Sequence, residues 1–314
     1  MGRLNRHIFE EKRKRLLQCL ESKKTKYKRL SLSPIRYAGG KSLAVGHIIE
    51  AMPPVKRIIS PFFGGGSIEI ALAQKLDIEI IACDINKPLV NYWQYQINQP
   101  KRLYAELKKL KPTKLEYEKI KKILKEWKNG EIKLTKLEQA TYFFFNHNLS
   151  YGPSFIGWAS SVYLNETKYN KMIEKVRDFK ANIKITCEPF ENLFFKYKKD
   201  FFYCDPPYFL KTDDETSKMF NGIYPERNNP IHHKSFNHEL LRDLLNNHKG
   251  GFILSYNNCS KSREYYKRYK LKYPSWQYTM GQGETRISKV LKNRDIKNKN
   301  SHIKMSHEIL VISN

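Results

Sequence analysis

The chain has 314 residues, with 58 Lys and Arg against 31 Asp and Glu, a formal net charge of +27, and 40% hydrophobic and 13% aromatic residues. This composition excludes a disordered chain, and with no apolar run of about 18 residues and a charged N-terminus, a soluble cytoplasmic protein is expected rather than a membrane-spanning or secreted one. So large a positive excess is costly in self-repulsion and points to a polyanionic partner, nucleic acid ahead of an anionic membrane, while five scattered cysteines without a C-x-x-C pair argue against a disulfide framework or a metal site.

Residues 1–32 read as a basic, helical arm whose lysines and arginines either track phosphates or form a solvated face. A helical pattern follows over 43–52, then an apolar strand over 57–63, a glycine turn, a helix over 67–76 and a strand over 78–84 ending at Asp84. This β-turn-α-β order predicts a parallel, doubly wound sheet. Over 100–180 the character changes: Lys-rich helical stretches flank the aromatic segment TYFFFNHNLSYGPSFIGWASSVYL. Strand patterns return in ANIKITCEPF and DFFYC, followed by a helix over 238–247, a strand over 250–258 and a final strand, HEILVIS. The expected organisation is one α/β catalytic domain over 33–99 and 181–314, interrupted by a mainly helical module at 100–180. The stretch 261–299 carries 12 basic residues against 3 acidic ones, and backbone contacts to a nucleic acid are expected there.

The sharpest chemical signal is Asp205-Pro206-Pro207-Tyr208 at the end of a strand. Two prolines stop the strand, stiffen the backbone and leave carbonyls without N–H donors beside them. A carboxylate, a free carbonyl and an aromatic ring together suit an exocyclic amine on a flat heterocycle. Asp205 and the Pro206 carbonyl would accept its two hydrogens while Tyr208 stacks on the ring. The plainer account is an ordinary strand end with a proline turn.

Pro61-Phe62-Phe63-Gly64-Gly65-Gly66-Ser67 lies between a strand and a helix, with Asp84 some 20 residues on. Such glycines let the backbone approach a ligand, and the acid can hold a ribose diol, so the pattern reads as a nucleoside-cofactor site. Position 69 is Glu where a dinucleotide fingerprint would carry its last glycine, which disfavours a nicotinamide cofactor. Upstream, Tyr37-Ala38-Gly39-Gly40-Lys41 lacks the spacing of a phosphate loop. Lys41 is expected to pair with the carboxylate of an amino-acid cofactor, with Tyr37 packed nearby.

RYAGGK (36–41), PFFGGG (61–66), ACD (82–84) and DPPY (205–208), in this order, resemble the DNA adenine methylase family, in its alpha group. The resemblance runs over roughly 33–312. It implies a Rossmann-like S-adenosylmethionine-dependent methyltransferase fold that flips its target adenine out of duplex DNA and methylates N6. Carried over by motif, Tyr37, Lys41, Phe63, Gly64, Gly66, Asp84 and Asp205 fall at cofactor positions, and Asp205, Pro206, Pro207 and Tyr208 form the catalytic loop. CEPFEN (187–192) is similar to the segment against the cofactor's adenine, with Phe190 the contact. Tyr37 stands where many members have Trp. A cognate restriction endonuclease acting separately is a further partner the resemblance implies, and the recognition site would be a short palindrome such as GATC or CATG. The motifs leave open cytosine N4 or an RNA base as acceptor, or a catalytically silent DNA-binding relative.

The module at 100–180 is expected to read the target sequence, through Asn146, Asn148 and Tyr151, whereas Phe143–Phe145 and Trp158 are assigned to its core. The stretch 209–235 is expected to border the base pocket. His232 and His233, lacking a third ligand, are expected at the surface.

Overall fold

The computed structural model describes residues 3–23, 25–209, 236–274 and 308–313. Seven strands form a single sheet: β1 (Arg57–Ser60), β2 (Glu79–Asp84), β3 (Ile183–Cys187), β4 (Phe201–Cys204), β5 (Phe252–Asn257), β6 (Lys270–Lys272) and β7 (Glu308–Ile312), in the order β3-β2-β1-β4-β5-β7-β6. The first five run parallel. β7 enters antiparallel between β5 and β6, with Ser255 opposite Leu310 and Leu271 opposite Val311. The central strands β4 and β5 are buried throughout, as strands covered on both faces require, whereas the edge strand β3 exposes alternate residues.

Period-2 alternation divides the core. Ile58, Tyr203, Ile253 and Leu310 face one hydrophobic cluster, while Ile59, Phe202, Cys204, Phe252, Leu254, Ile309 and Val311 face the other. The first cluster takes in helices α1 (Arg3–Leu20), α2 (Val45–Ala51), α3 (Ser67–Leu76) and α4 (Lys87–Asn98). The second is closed by α9 (Glu191–Lys196) and α10 (His238–Asn247), with Tyr266 just past α11 (Ser260–Tyr265). The basic N-terminal segment forms α1, which buries Phe9 and Leu20 and ties to α2 through a hydrogen bond from the Arg13 guanidinium to the Met52 carbonyl (2.7 Å).

Between α4 and β3 come four helices: α5 (Pro100–Lys108), α6 (Lys114–Lys128), α7 (Lys136–Leu149) and α8 (Glu166–Arg177). Thr113 and Thr135 cap α6 and α7, the latter through a reciprocal capping box with Glu138. These helices do not float free of the sheet domain. α7 lies along α4, where Tyr92 meets Phe143 and Phe144, and all share the first core cluster.

Candidate active site

Because β1 leads outward through β2 to β3 while β4 returns on its other side, the chain reverses direction beside β1, and a crevice opens past the carboxyl ends of these strands. A cavity of about 620 Å³ occupies that crevice. Its walls are the loops leaving β1 (Pro61–Ser67), β2 (Asp84–Asn86), β3 (Glu188–Glu191) and β4 (Asp205–Pro207), closed by Tyr37–Lys41 and by part of α7 and the loop after it.

The β1 loop is held from three sides. Gly64 (φ 47°) and Gly66 (φ 62°) both occupy the left-handed region. A Cβ on Gly65 would come within 2.5 Å of the Tyr37 side chain, and one on Gly66 within 2.7 Å of the Phe63 ring. Trp93 on α4 donates its indole N–H to the Gly64 carbonyl (2.9 Å) and stands edge-on to Phe63 (5.1 Å). From β2, Asp84 accepts the Gly64 N–H on Oδ2 and the Asn86 N–H on Oδ1, each at 2.9 Å. The glycine turn and the acid predicted to share a nucleoside are thus in direct contact. Phe190 lies on the same wall within an aromatic cluster with Phe62 (5.2 Å) and Phe236 (5.4 Å). Phe236 and Trp93 were not singled out in the sequence, since nothing local distinguishes them from core aromatics, and Phe62 was read only as part of the PFFGGG turn.

At the end of β4, Asp205 meets Lys41. The Lys41 ammonium is 4% exposed and lies 3.0 Å from Asp205 Oδ1 and 3.7 Å from Glu308 Oε1, and it also donates to the Gly39 carbonyl. Burial raises the Asp205 carboxyl above its ordinary range, while Lys41 and the Tyr208 hydroxyl pull it back down. Tyr208 is buried, its hydroxyl 3.3 Å from both Asp205 Oδ1 and Ser255 Oγ, and it does not line the cavity as Asp205, Pro206 and Pro207 do. The open stacking face read from the motif is therefore absent in this conformation, because the hydroxyl is held inward by buried acceptors. Two further acids surround the site. Glu69 on α3 accepts the Ser60 hydroxyl (2.6 Å), and burial pushes its carboxyl up to about 8; burial likewise raises Glu308 to about 7.

On the α7 side, His147 stacks between Phe143 (5.2 Å) and Tyr37 (6.0 Å). Its Nε2 lies 2.7 Å from the Arg36 carbonyl, which fixes the proton on Nε2, and burial pushes the imidazole down to about 4. Asn146 and Asn148, expected to read bases, have no accessible surface. Asn146 Oδ1 accepts the N–H of Ile156, a residue at φ 56°, and Asn148 Oδ1 accepts the N–H of Arg36. Both are braces of the fold, because side chains sealed in a helix–loop junction cannot reach a base edge. Tyr151 is 60% exposed, and Trp158, expected in the core, is 74% exposed; the two are joined by a backbone hydrogen bond (2.7 Å) across the loop after α7. Phe143, Phe144 and Phe145 are buried as expected. His232, His233, nearly all of the 209–235 stretch and the basic run beyond 274 lie outside the described residues. Among the described residues no cluster of His, Cys, Asp or Glu is arranged to hold a metal ion, and no helix is long and apolar enough to cross a membrane.

Residues 37–280 match the family described as D12 class N6 adenine-specific DNA methyltransferase. The chain belongs to that family. It is also similar to the type II methyltransferase M.MjaIII of Methanocaldococcus jannaschii, at 26% identity over 197 residues, 55% of this chain and 68% of the relative. The mixed α/β fold with its seven-stranded sheet is consistent with an S-adenosylmethionine-dependent methyltransferase. Membership makes the chain a site-specific adenine methyltransferase of DNA and favours adenine over cytosine or RNA as its acceptor.

Proposed function

We propose that the cavity binds S-adenosylmethionine beside an adenine flipped out of duplex DNA, and that Asp205 directs the N6 amine of that base. The observation that carries this reading is the meeting of three features in one 620 Å³ space: the Gly64–Asp84 contact, the aromatic wall of Phe190, and the Lys41–Asp205 pair. That volume lies within the range of roughly 300–1,000 Å³ usual for small-molecule sites.

The residues suit the cofactor. Asp84, which accepts the Gly64 and Asn86 N–H groups, stands beside the glycine turn as the carboxylate for a ribose diol. Phe190 offers an adenine ring an apolar face, Phe63 backs the Gly64–Gly66 turn, and Tyr37 seals it from the other side. Lys41, already charge-paired with Asp205, keeps that carboxylate ionised and offers an ammonium to the cofactor's carboxylate. When bound, S-adenosylmethionine supplies an electrophilic methyl group on a sulfonium.

Asp205 and the Pro206 carbonyl accept the two amine hydrogens, which keeps the nitrogen lone pair available. Pro207 fixes the loop, and Tyr208, its ring held inward, braces the Asp205 carboxylate through its hydroxyl. Flipping costs on the order of a few kcal/mol, offset by contacts inside the pocket. The helices over 100–180 act as the recognition module, with Tyr151 as a DNA contact, and residues 1–32 as a basic arm on a catalytic domain of 33–99 and 181–314. The protein works in the cytoplasm on chromosomal DNA, with a cognate endonuclease as a separate partner; the type II designation of the archaeal relative supports that pairing. Calorimetry tests the cofactor assignment. Asp84→Ala should weaken S-adenosylmethionine binding at least about tenfold; unchanged affinity would remove the β1–β2 crevice as the cofactor site.

A further inference from the structure

Asp205 heads a buried hydrogen-bonded chain that leads away from the cavity. The Tyr208 hydroxyl stands 3.3 Å from Asp205 Oδ1 and 3.3 Å from Ser255 Oγ, and Ser255 donates to Glu308 Oε2 at 3.1 Å. Ser255 and Glu308 sit on β5 and the neighbouring antiparallel β7, and neither is more than 1% exposed. Glu308 Oε1 accepts no hydrogen bond and faces Lys41 at 3.7 Å. A carboxylate buried this deeply, held by one distant cation and with no hydrogen bond on Oε1, is costly in its ionised form and gains from taking up a proton.

We propose that Glu308 is the terminal acceptor of the proton that the target amine gives up, reached through Asp205, Tyr208 and Ser255. This rests on the reading of Asp205 as the carboxylate that holds the amine. As the nitrogen lone pair forms the new N–C bond, the bond from the methyl group to sulfur breaks with its electron pair left on sulfur; one N–H bond breaks, its pair stays on nitrogen, and the proton passes to Asp205 Oδ1. Asp205 hands it to Tyr208 Oη while the tyrosine proton moves to Ser255 Oγ and the serine proton to Glu308 Oε2. Every intermediate group ends with the protons it began with, the amine has lost one and Glu308 has gained one. Lys41, nearer Asp205 than Glu308, favours leaving the negative charge on Asp205. The proton returns to water by the same chain once the cavity empties, since Asp205 keeps 22% of its side-chain surface open. Glu308 acts through the relay and does not touch the base, so it is a positioning residue.

The groups facing Glu308 are Lys41 from the N-terminal segment, Tyr203, Asp205 and Tyr208 from β4 and its loop, and Ser255 from β5, with the Glu69 carboxyl on α3 facing Asp205. Burial raises Glu308 to about 7, with Lys41 opposing, so its accepting, ionised form grows in as pH rises through neutrality. The test is a single-turnover methylation profile between about pH 5 and 9 for wild type, Glu308→Gln, Glu308→Asp and Ser255→Ala, beside an infrared titration of cofactor-free protein. Glu308→Gln should lose the limb near neutrality and fall about tenfold in rate at high pH with cofactor affinity unchanged, while Glu308→Asp keeps the limb. The protonated-carboxyl C=O band of wild type should lose one component in Glu308→Gln, leaving that of Glu69. Ser255→Ala, which cuts the chain but keeps both acids, should slow transfer about tenfold with the infrared component intact, and it decides the matter if Glu308→Gln does not fold. A Glu308→Gln enzyme with the wild-type limb and rate, or a Ser255→Ala enzyme with the wild-type rate, overturns the relay. Full activity in Asp205→Ala would instead remove the reading beneath it.

Discussion

Asp205 must serve two opposed demands, since burial favours its neutral form while holding an amine hydrogen requires the carboxylate. Lys41 at 3.0 Å reconciles them. Removing that cation, as in Lys41→Met, should shift the acid limb of methylation to higher pH, because the carboxyl then ionises later; a pH–rate profile reads this directly, and an unmoved limb would mean Lys41 does not set the charge on Asp205. Glu69 supplies a stability prediction. Its carboxyl is raised in the folded protein, so its contribution is full below the unfolded value of about 4.5 and is lost as pH climbs through about 8. Glu69→Gln should therefore remove a stability decline on the order of a few kcal/mol across that window, seen as a flatter Tm against pH. Asp205, Asp84 and Lys41 were legible in the sequence because each belongs to a short motif whose chemistry is local. Asn146 and Asn148 were misread because the burial of a polar side chain on α7 depends on which segment packs over it, here Arg36 and Ile156.

At the level of elements, the loop after β1 is the most constrained part of the site. Gly65→Ala should push the new methyl into Tyr37 and weaken cofactor binding measurably in calorimetry, with a stability loss of about 1–3 kcal/mol. The loop after α7 depends on a different brace. Asn146 pins Ile156 in a left-handed conformation that a β-branched residue adopts only at a cost, and the turn so formed carries Trp158 outward. Asn146→Ala should lower Tm and reduce DNA affinity without changing cofactor affinity. The helices Ser67–Leu76 and His238–Asn247 coincide with the sequence reading, since glycine turns, caps and apolar periodicity mark them locally. The three-residue β6 lies in a basic run with no alternation to announce it, and the placing of β7 between β5 and β6 is a long-range pairing that no local pattern encodes.

For the whole molecule, a net charge of +27 predicts DNA binding dominated by phosphate contacts and counterion release. Affinity for duplex DNA should fall by orders of magnitude between about 50 and 200 mM salt. Trp158→Ala should lower affinity with little change in the salt slope, since an exposed aromatic contributes contact and not charge; a slope changed by about one would show that the neighbouring Lys121, 5.9 Å from its ring, was displaced as well. The fold class and the order of catalytic segments were visible in the sequence because three of the four motifs punctuate strand ends. The packing of the inserted helices into the same core as α4 was not, because their apolar faces do not say which partner they meet. The most direct test of the account is transfer of a labelled methyl group from S-adenosylmethionine to unmethylated duplex DNA by wild type and Asp205→Ala, with the product digested to nucleosides. The account predicts label in N6-methyladenine at one short sequence with wild type and a loss of at least about a thousandfold in Asp205→Ala, with duplex binding retained. Label on cytosine, or an Asp205→Ala enzyme near the wild-type rate, would contradict it.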